Sequence, residues 1–259
     1  MVLTNGTESI DFGSDGFEII KFEISPYKID TAVSQGEKLS GAMSDEFEIG
    51  ESDILIEGYI KGENIDLKRR KLGRITSPVS EFLLIDGEYK LSLRLSYGIG
   101  YSSEKRFSEK VLKFKIIAKA PYPFWQSSDE TVLQFDGCAT GSTDDTAIRL
   151  TNDGDLDTGC IIEAKIFLST SEVWLRVGDK YIYTNYPFSV GDVLRIDTRF
   201  GKKKVEVLPK GSTEYVSIIN KLSSSSKFFY LSPGENRIDY FFRESLANIT
   251  VSFTPFYMR

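Results

Sequence analysis

Ala120-Pro-Tyr-Pro-Phe-Trp125 separates a strand-like run, Val111 to Lys119, from a polar segment, Gln126 to Thr131. Pro121 and Pro123 fix backbone φ and remove amide donors, so the run before them cannot simply continue into a central strand. A domain boundary is expected here, dividing the chain into residues 1–125 and 126–259. Tyr122, Phe124 and Trp125 place large aromatics in the boundary, where a freely moving linker has no use for them. The stretch therefore reads as an interdomain joint pinned against one or both flanking domains. A buried loop inside a single domain is the alternative.

The chain has 259 residues, enough for one large domain or two of ordinary size. With 18 Phe and 13 Tyr, it favours sheet over helix. It has no apolar span of transmembrane length and no basic segment leading into an apolar core, so neither an integral membrane protein nor a conventionally secreted one is expected. Cys138 and Cys160 are too few for a disulfide framework, and free thiols are expected. Histidine is absent, which removes the commonest general base and transition-metal ligand; no cofactor or metal is expected. The net charge of −6 is unevenly spread: residues 1–60 carry 13 acidic and 3 basic side chains, and residues 61–125 carry 7 acidic and 14 basic. Such polarity suits head-to-tail contact between copies. Equally, the two halves can meet within one fold and neutralise each other.

Along the first half, strands are expected at Ser9 to Gly13 and Phe17 to Ile24, the latter with Phe17, Ile19, Lys21 and Glu23 on one face and Ile20, Phe22 and Ile24 on the other. Residues 30–46 are Ser- and Gly-rich with few apolar anchors, and read as a long exposed loop or arm. In the run Glu48 to Ile60, Ile54, Ile56, Gly58 and Ile60 share a face opposite Leu55, Glu57 and Tyr59. Asn64 can cap an amphipathic helix, Ile65 to Ile75, whose polar face carries Lys68, Arg69, Arg70, Lys71 and Arg74. A meander follows: Glu81 to Ile85, the Asp86-Gly87 turn, Tyr89 to Tyr97, a loop over Gly98 to Glu104 with Tyr101 as its anchor or a contact residue, and Val111 to Lys119. This half is α+β, with one helix covering an antiparallel sheet.

From Thr131 the chain is a series of short strands and explicit turns, which predicts a two-sheet β-sandwich. Leu194, Ile196 and Thr198 are the expected core face of one strand, and Phe228 to Leu231 is expected to form another. Asn152-Asp-Gly-Asp-Leu-Asp157 alternates carboxylates like a calcium loop, but counting from Asp153 the required Gly and Glu positions hold Thr158 and Ala164. Asx-stabilised turn chemistry explains it better. Trp174 is read as a partly buried aromatic, since no Arg, Asn and Glu cluster beside it is evident. Glu163, Asp179 and Glu206 are available to a hydrolase, yet no pair is singled out by spacing.

The ordered set Ala120-Pro-Tyr-Pro-Phe-Trp125, Asn152-Asp-Gly154, Gly191-Asp-Val-Leu-Arg-Ile-Asp-Thr198, Leu222 and Phe228-Phe-Tyr-Leu-Ser-Pro-Gly-Glu-Asn236 resembles the distal tail proteins of long-tailed, non-contractile bacteriophages. Ile249-Thr-Val-Ser-Phe253 and Tyr257 look like that family's final strand, while Cys160 stands where the family often has Pro. The resemblance implies a mainly β protein, with an N-terminal belt domain that closes a hexameric ring and a C-terminal galectin-like sandwich. It implies an adaptor at the distal end of the virion tail, assembled in the bacterial cytoplasm. Its partners would be further copies of itself, the tail tube protein, a tail-associated hub protein and a receptor-binding protein. DNA would pass without specific binding, and no membrane or enzymatic activity is implied. On this reading Lys68, Arg69, Arg70 and Arg74 are ring-interface candidates. Asp30, Glu37, Asp45, Glu46, Glu48, Glu51, Asp53 and Glu57 are channel or rim candidates, because a dense basic lining would hold the duplex. The rival reading is a carbohydrate-binding receptor-recognition protein that uses the sandwich directly.

Overall fold

The computed structural model describes residues 1–27, 29–34, 43–106, 109–138, 140–141 and 147–259, with the backbone alone at 29–34, 43–49, 104–106, 109–110 and 140–141. The chain divides into two compact units, Met1–Ser128 and Asp129–Arg259. Trp125–Ser127 is a short strand of the first unit, its Gln126 and Ser127 paired with Lys90 and Tyr89.

The first unit is built on an antiparallel sheet that runs Ser9–Asp11, Val2–Thr4, Phe82–Asp86, Tyr89–Leu95, Glu109–Ala120, Ser52–Ile60, Phe17–Ile24. Along Ser52–Ile60, alternation decides the faces as expected. Ile54, Ile56 and Ile60 are fully buried, and Phe114 lies so close that a Cβ on Gly58 would sit 2.6 Å from its ring. Phe17–Ile24 departs from strict alternation because a bulge between Ile19 and Lys21 shifts its register. Phe22 and Ile24 consequently lie opposite Ile56 and Ile54, while Lys21 and Glu23 lie opposite Glu57 and Leu55. The bulged Ile20 is 45% exposed.

Two expected loops are strands instead. Ile29–Ser34 pairs with Met43–Ile49 as an antiparallel hairpin, leaving only residues 35–42 of the anticipated arm outside the described structure. Gly100–Arg106 pairs with Glu109–Lys115. The hairpin is a two-stranded sheet of its own, and Gly100–Arg106 is paired on one side only, where backbone pairing needs no long apolar alternation. The helix spans Ile65–Ile75 and buries Leu72 and Ile75. Asn64 stands at its N-cap in the left-handed region, with φ 58, and its side chain makes no capping bond. Lys68 N instead takes the Asn64 carbonyl at 3.1 Å.

The second unit is a pair of sheets around one core. The larger runs Thr131–Cys138, Ala247–Phe253, Cys160–Ile166, Val193–Asp197, Lys204–Leu208, Val216–Ser217. The smaller runs Thr140–Gly141, Gly234–Phe242, Val173–Val177, Lys180–Thr184, with Ile148–Asn152 also on Gly234–Phe242. Leu194, Ile196 and Thr198 are buried as their alternation required. Residues 228–231 are not a strand; only Leu231 bridges, to Thr158, and its carbonyl accepts both Thr158 N at 2.9 Å and the Asn152 side chain at 3.0 Å. Both cysteines are free and buried.

Candidate assembly surfaces

The two charged segments of the first unit meet within it. Arg74 grips Glu8 through Nε at 2.8 Å and Nη2 at 2.7 Å, and Lys71 lies 3.6 Å from Asp15. Lys61 pairs with Glu18, and Lys119 with Glu51. Glu57 lies between Lys113 at 3.4 Å and Lys115 at 3.2 Å, its side chain only 16% exposed. The hydrogen bond from Lys115 is the chief cause that holds its carboxyl below the usual range, with Lys113 adding to it. Each acidic partner comes from residues 1–60 and each basic one from residues 61–125. Of the two uses of charge polarity open in the sequence, these pairs carry neutralisation inside one fold.

The basic helix candidates therefore separate by role. Arg74 is spent on Glu8, and Lys68 donates its Nζ to the Lys61 carbonyl at 2.8 Å. Arg69 and Arg70 are exposed. The Arg69 guanidinium sits 5.8 Å from the Tyr101 ring, beside the Gly100–Arg106 strand. Tyr101 is thus a contact residue of the helix, not the anchor of a loop.

The acidic candidates separate likewise. Glu37 lies outside the described residues, and Asp30, Asp45, Glu46 and Glu48 are described by backbone only, on the hairpin. Asp53 is exposed and lies opposite Lys119 in the ladder. Asp53 and Glu57 share the outward face of the sheet with Glu18, Lys21, Glu23, Lys113, Lys115 and Lys119, by the registers of the adjoining strands. That face is balanced in charge, not acidic.

The Pro-Tyr-Pro stretch contributes an aromatic group to the first unit. Phe124 is 2% exposed and meets Tyr122 at 5.0 Å and Tyr27 at 5.4 Å between ring centroids, both edge to face. Tyr27 immediately precedes the hairpin, so this group anchors the hairpin's base. Trp125 is also buried.

In the second unit, Glu163 and Glu206 flank Arg195 on adjacent strands. Glu163 also accepts the Tyr215 hydroxyl at 3.0 Å. Arg195 lies 3.7 Å from Glu163 and Lys204 lies 3.7 Å from Glu206, so each carboxylate has a cation beside it; Asp179 is in a turn elsewhere. Among the described residues, no three His, Cys, Asp or Glu groups come together in a metal-holding arrangement. The Asn152 turn is a hydrogen-bonded corner. Its Oδ1 accepts Gly154 N at 3.0 Å, and its Nδ2 donates to the Leu156 and Leu231 carbonyls, each at 3.0 Å. Trp174 is half-buried, stacked on Phe241 at 6.1 Å. Contrary to the sequence reading, it does have a polar cluster beside it: Arg176, Asp239 and Arg237. These residues come from distant strands, and the only local sign was the alternation of Arg237, Asp239 and Phe241.

Residues 153–257 match the family model of the siphovirus-type tail component, C-terminal domain. The phage SPP1 Dit protein, whose crystal structure is described as a paradigm of the hub adsorption apparatus in phages infecting Gram-positive hosts, superposes with a TM-score of 0.70. It is 12% identical, over 99% of both chains. A chain of the activated phage P2 baseplate with Ca aligns at a TM-score of 0.58 and 10% identity, over 98% of this chain and 96% of that one. The same baseplate with Sr gives 0.52 and 10% identity, over 96% of each chain. No curated protein sequence matches.

Proposed function

We propose that the chain is a distal tail protein of the siphovirus type and that it closes a homo-hexameric ring joining the tail tube to the baseplate and host-recognition apparatus, a reading supported by the family match over residues 153–257 and by the likeness of fold. Residues 1–125 form the belt, residues 126–259 a galectin-like sandwich, and 121–125 the joint between them. The observation that carries the ring is a sheet with two open ends. In the order Phe17–Ile24, Ser52–Ile60, Glu109–Ala120, Gly100–Arg106, every step is antiparallel, and among the described residues the first and last strands have no second strand neighbour. A second copy that sets its Gly100–Arg106 strand beside this chain's Phe17–Ile24 continues the alternation. The two edges differ, so the contact is heterologous and repeats around an axis until it closes. Six copies is the number implied by the family. Arg69 stands beside the Gly100–Arg106 edge, and the strand at the other edge carries Glu18, Lys21 and Glu23, with Glu18 paired to Lys61 and Glu23 to Lys21. The charge-balanced face bearing Glu57 is the proposed channel lining, past which DNA moves without being held.

Light scattering on the purified protein at physiological salt tests the ring, with a six-fold mass expected. A folded protein that remains monomeric even when mixed with the tail tube and hub proteins overturns it.

A further inference from the structure

The solvent side of the smaller sheet in the second unit carries an ordered set of groups that the adaptor role does not use. Tyr183, Trp174 and Phe241 lie in one row across three neighbouring strands, and Tyr181, Arg176 and Asp239 in the next. The Trp174 and Phe241 planes are inclined by 21°, and the Arg176 guanidinium lies 5.9 Å from the Trp174 ring. Asp239, with a side chain only 8% exposed, is gripped by Arg176 Nε at 3.0 Å and by Arg237 Nε at 2.8 Å. The sheet's opposite side is already filled by Leu175, Ile182, Ile238 and Tyr240, so the fold does not need this arrangement for its core. Sinking a carboxylate between two arginines on the solvent side of a sheet contributes little net stability. What it does accomplish is to fix the planes of both guanidiniums beside an aromatic row.

We propose that this face binds an acidic saccharide. A sugar ring presents a C–H face that lies against an aromatic surface, and hydroxyl and acid groups at its edge that a planar guanidinium reads through paired donors. Arg176 has five N–H donors and spends those on Nε and Nη2 on Asp239, so it retains others for a ligand. Asp239 is a positioning residue: it orients the two arginines. The proposal stands on the second unit alone and does not require the ring.

The test is titration of the full chain, followed by tryptophan fluorescence and calorimetry. Oligogalacturonate and phosphorylated mannan oligosaccharide distinguish a carboxylate from a phosphate as the acid group, and unphosphorylated mannan is the neutral control. At least one acidic probe is expected to bind about tenfold more tightly than the neutral one. Trp174→Ala should weaken that binding about tenfold, and Trp174→Tyr should restore most of it. Asp239→Asn should weaken it while leaving the protein folded by circular dichroism. Absence of binding by the wild type to both acidic probes at about millimolar concentration overturns the proposal. So does binding that is unchanged in folded Trp174→Ala or, should that variant not fold, unchanged between Trp174→Tyr and a Trp174→Tyr/Arg176→Met double variant.

Discussion

Single side chains in this protein hold backbone that no ladder reaches, and Asn152 is the clearest of them. It is 1% exposed and closes the corner of residues 152–158 by three bonds to main chain. Asn152→Ala strands the Gly154 amide hydrogen and the Leu156 carbonyl and removes one of two donors from the Leu231 carbonyl, and should cost about 1–3 kcal/mol in urea unfolding. The thiols give a second measurement. Burial pushes Cys160 up to about 12 and also raises Cys138, so native protein should resist a maleimide that labels both cysteines once urea unfolds the chain. The third concerns acid. Burial alone would raise the Asp239 carboxyl, but the bonds from Arg176 and Arg237 outweigh it and hold it below its ordinary 3.8; Arg199 does the same for Asp197. The unfolded chain then takes up these protons at higher pH than the folded one. The stability they confer is complete above their ordinary value and is lost as pH falls through the lower folded values. Unfolding free energy measured from pH 6 down to about pH 2 should show that loss, and Asp239→Asn should remove its share.

At the scale of elements, the edge strand and the helix make separate demands. Lysine at an exposed apolar edge position opposes further strand pairing while leaving the inner ladder intact. Ile20→Lys combined with Ile24→Lys should therefore lower the mass of the assembled protein without unfolding it, as read by light scattering and circular dichroism. Leu72→Ala removes a fully buried side chain from the helix and should cost about 2–5 kcal/mol. The helix, the buried face of Ser52–Ile60 and the core face at Leu194 and Ile196 were legible in sequence because each repeats apolar residues at its own period. The hairpin Ile29–Ser34 with Met43–Ile49 was not, since strands paired on one side only need no such signal. Nor was the bulge at Ile20, which reverses the side-chain faces after one extra residue. The cluster beside Trp174 was hidden for another reason: Arg176 meets Asp239 only through the register of two strands far apart in the chain.

For the molecule as a whole, the chain divides into two compact units, and the core of the second is drawn entirely from residues beyond 129. Fragments 1–128 and 129–259 should each express in folded form and unfold cooperatively in calorimetry, and loss of cooperativity in either would show that the units depend on each other. The assembled protein should not retain duplex DNA at physiological salt in a filter-binding measurement, because the outward face of its sheet alternates lysine with glutamate. One further consequence lies in the order of the sheet. Glu109–Ala120 is the last long strand of the first unit to be synthesised, yet it stands between Ser52–Ile60 and Tyr89–Leu95 and supplies Lys113, Lys115 and Lys119 to acids laid down much earlier. A ribosome adding about 5–20 residues per second therefore leaves one backbone edge of Ser52–Ile60 without its neighbouring strand for several seconds. Neighbouring nascent chains on one message are most prone to mispair in that interval, and a pause placed after residue 100 would lengthen the hazard while one placed after residue 170 would not.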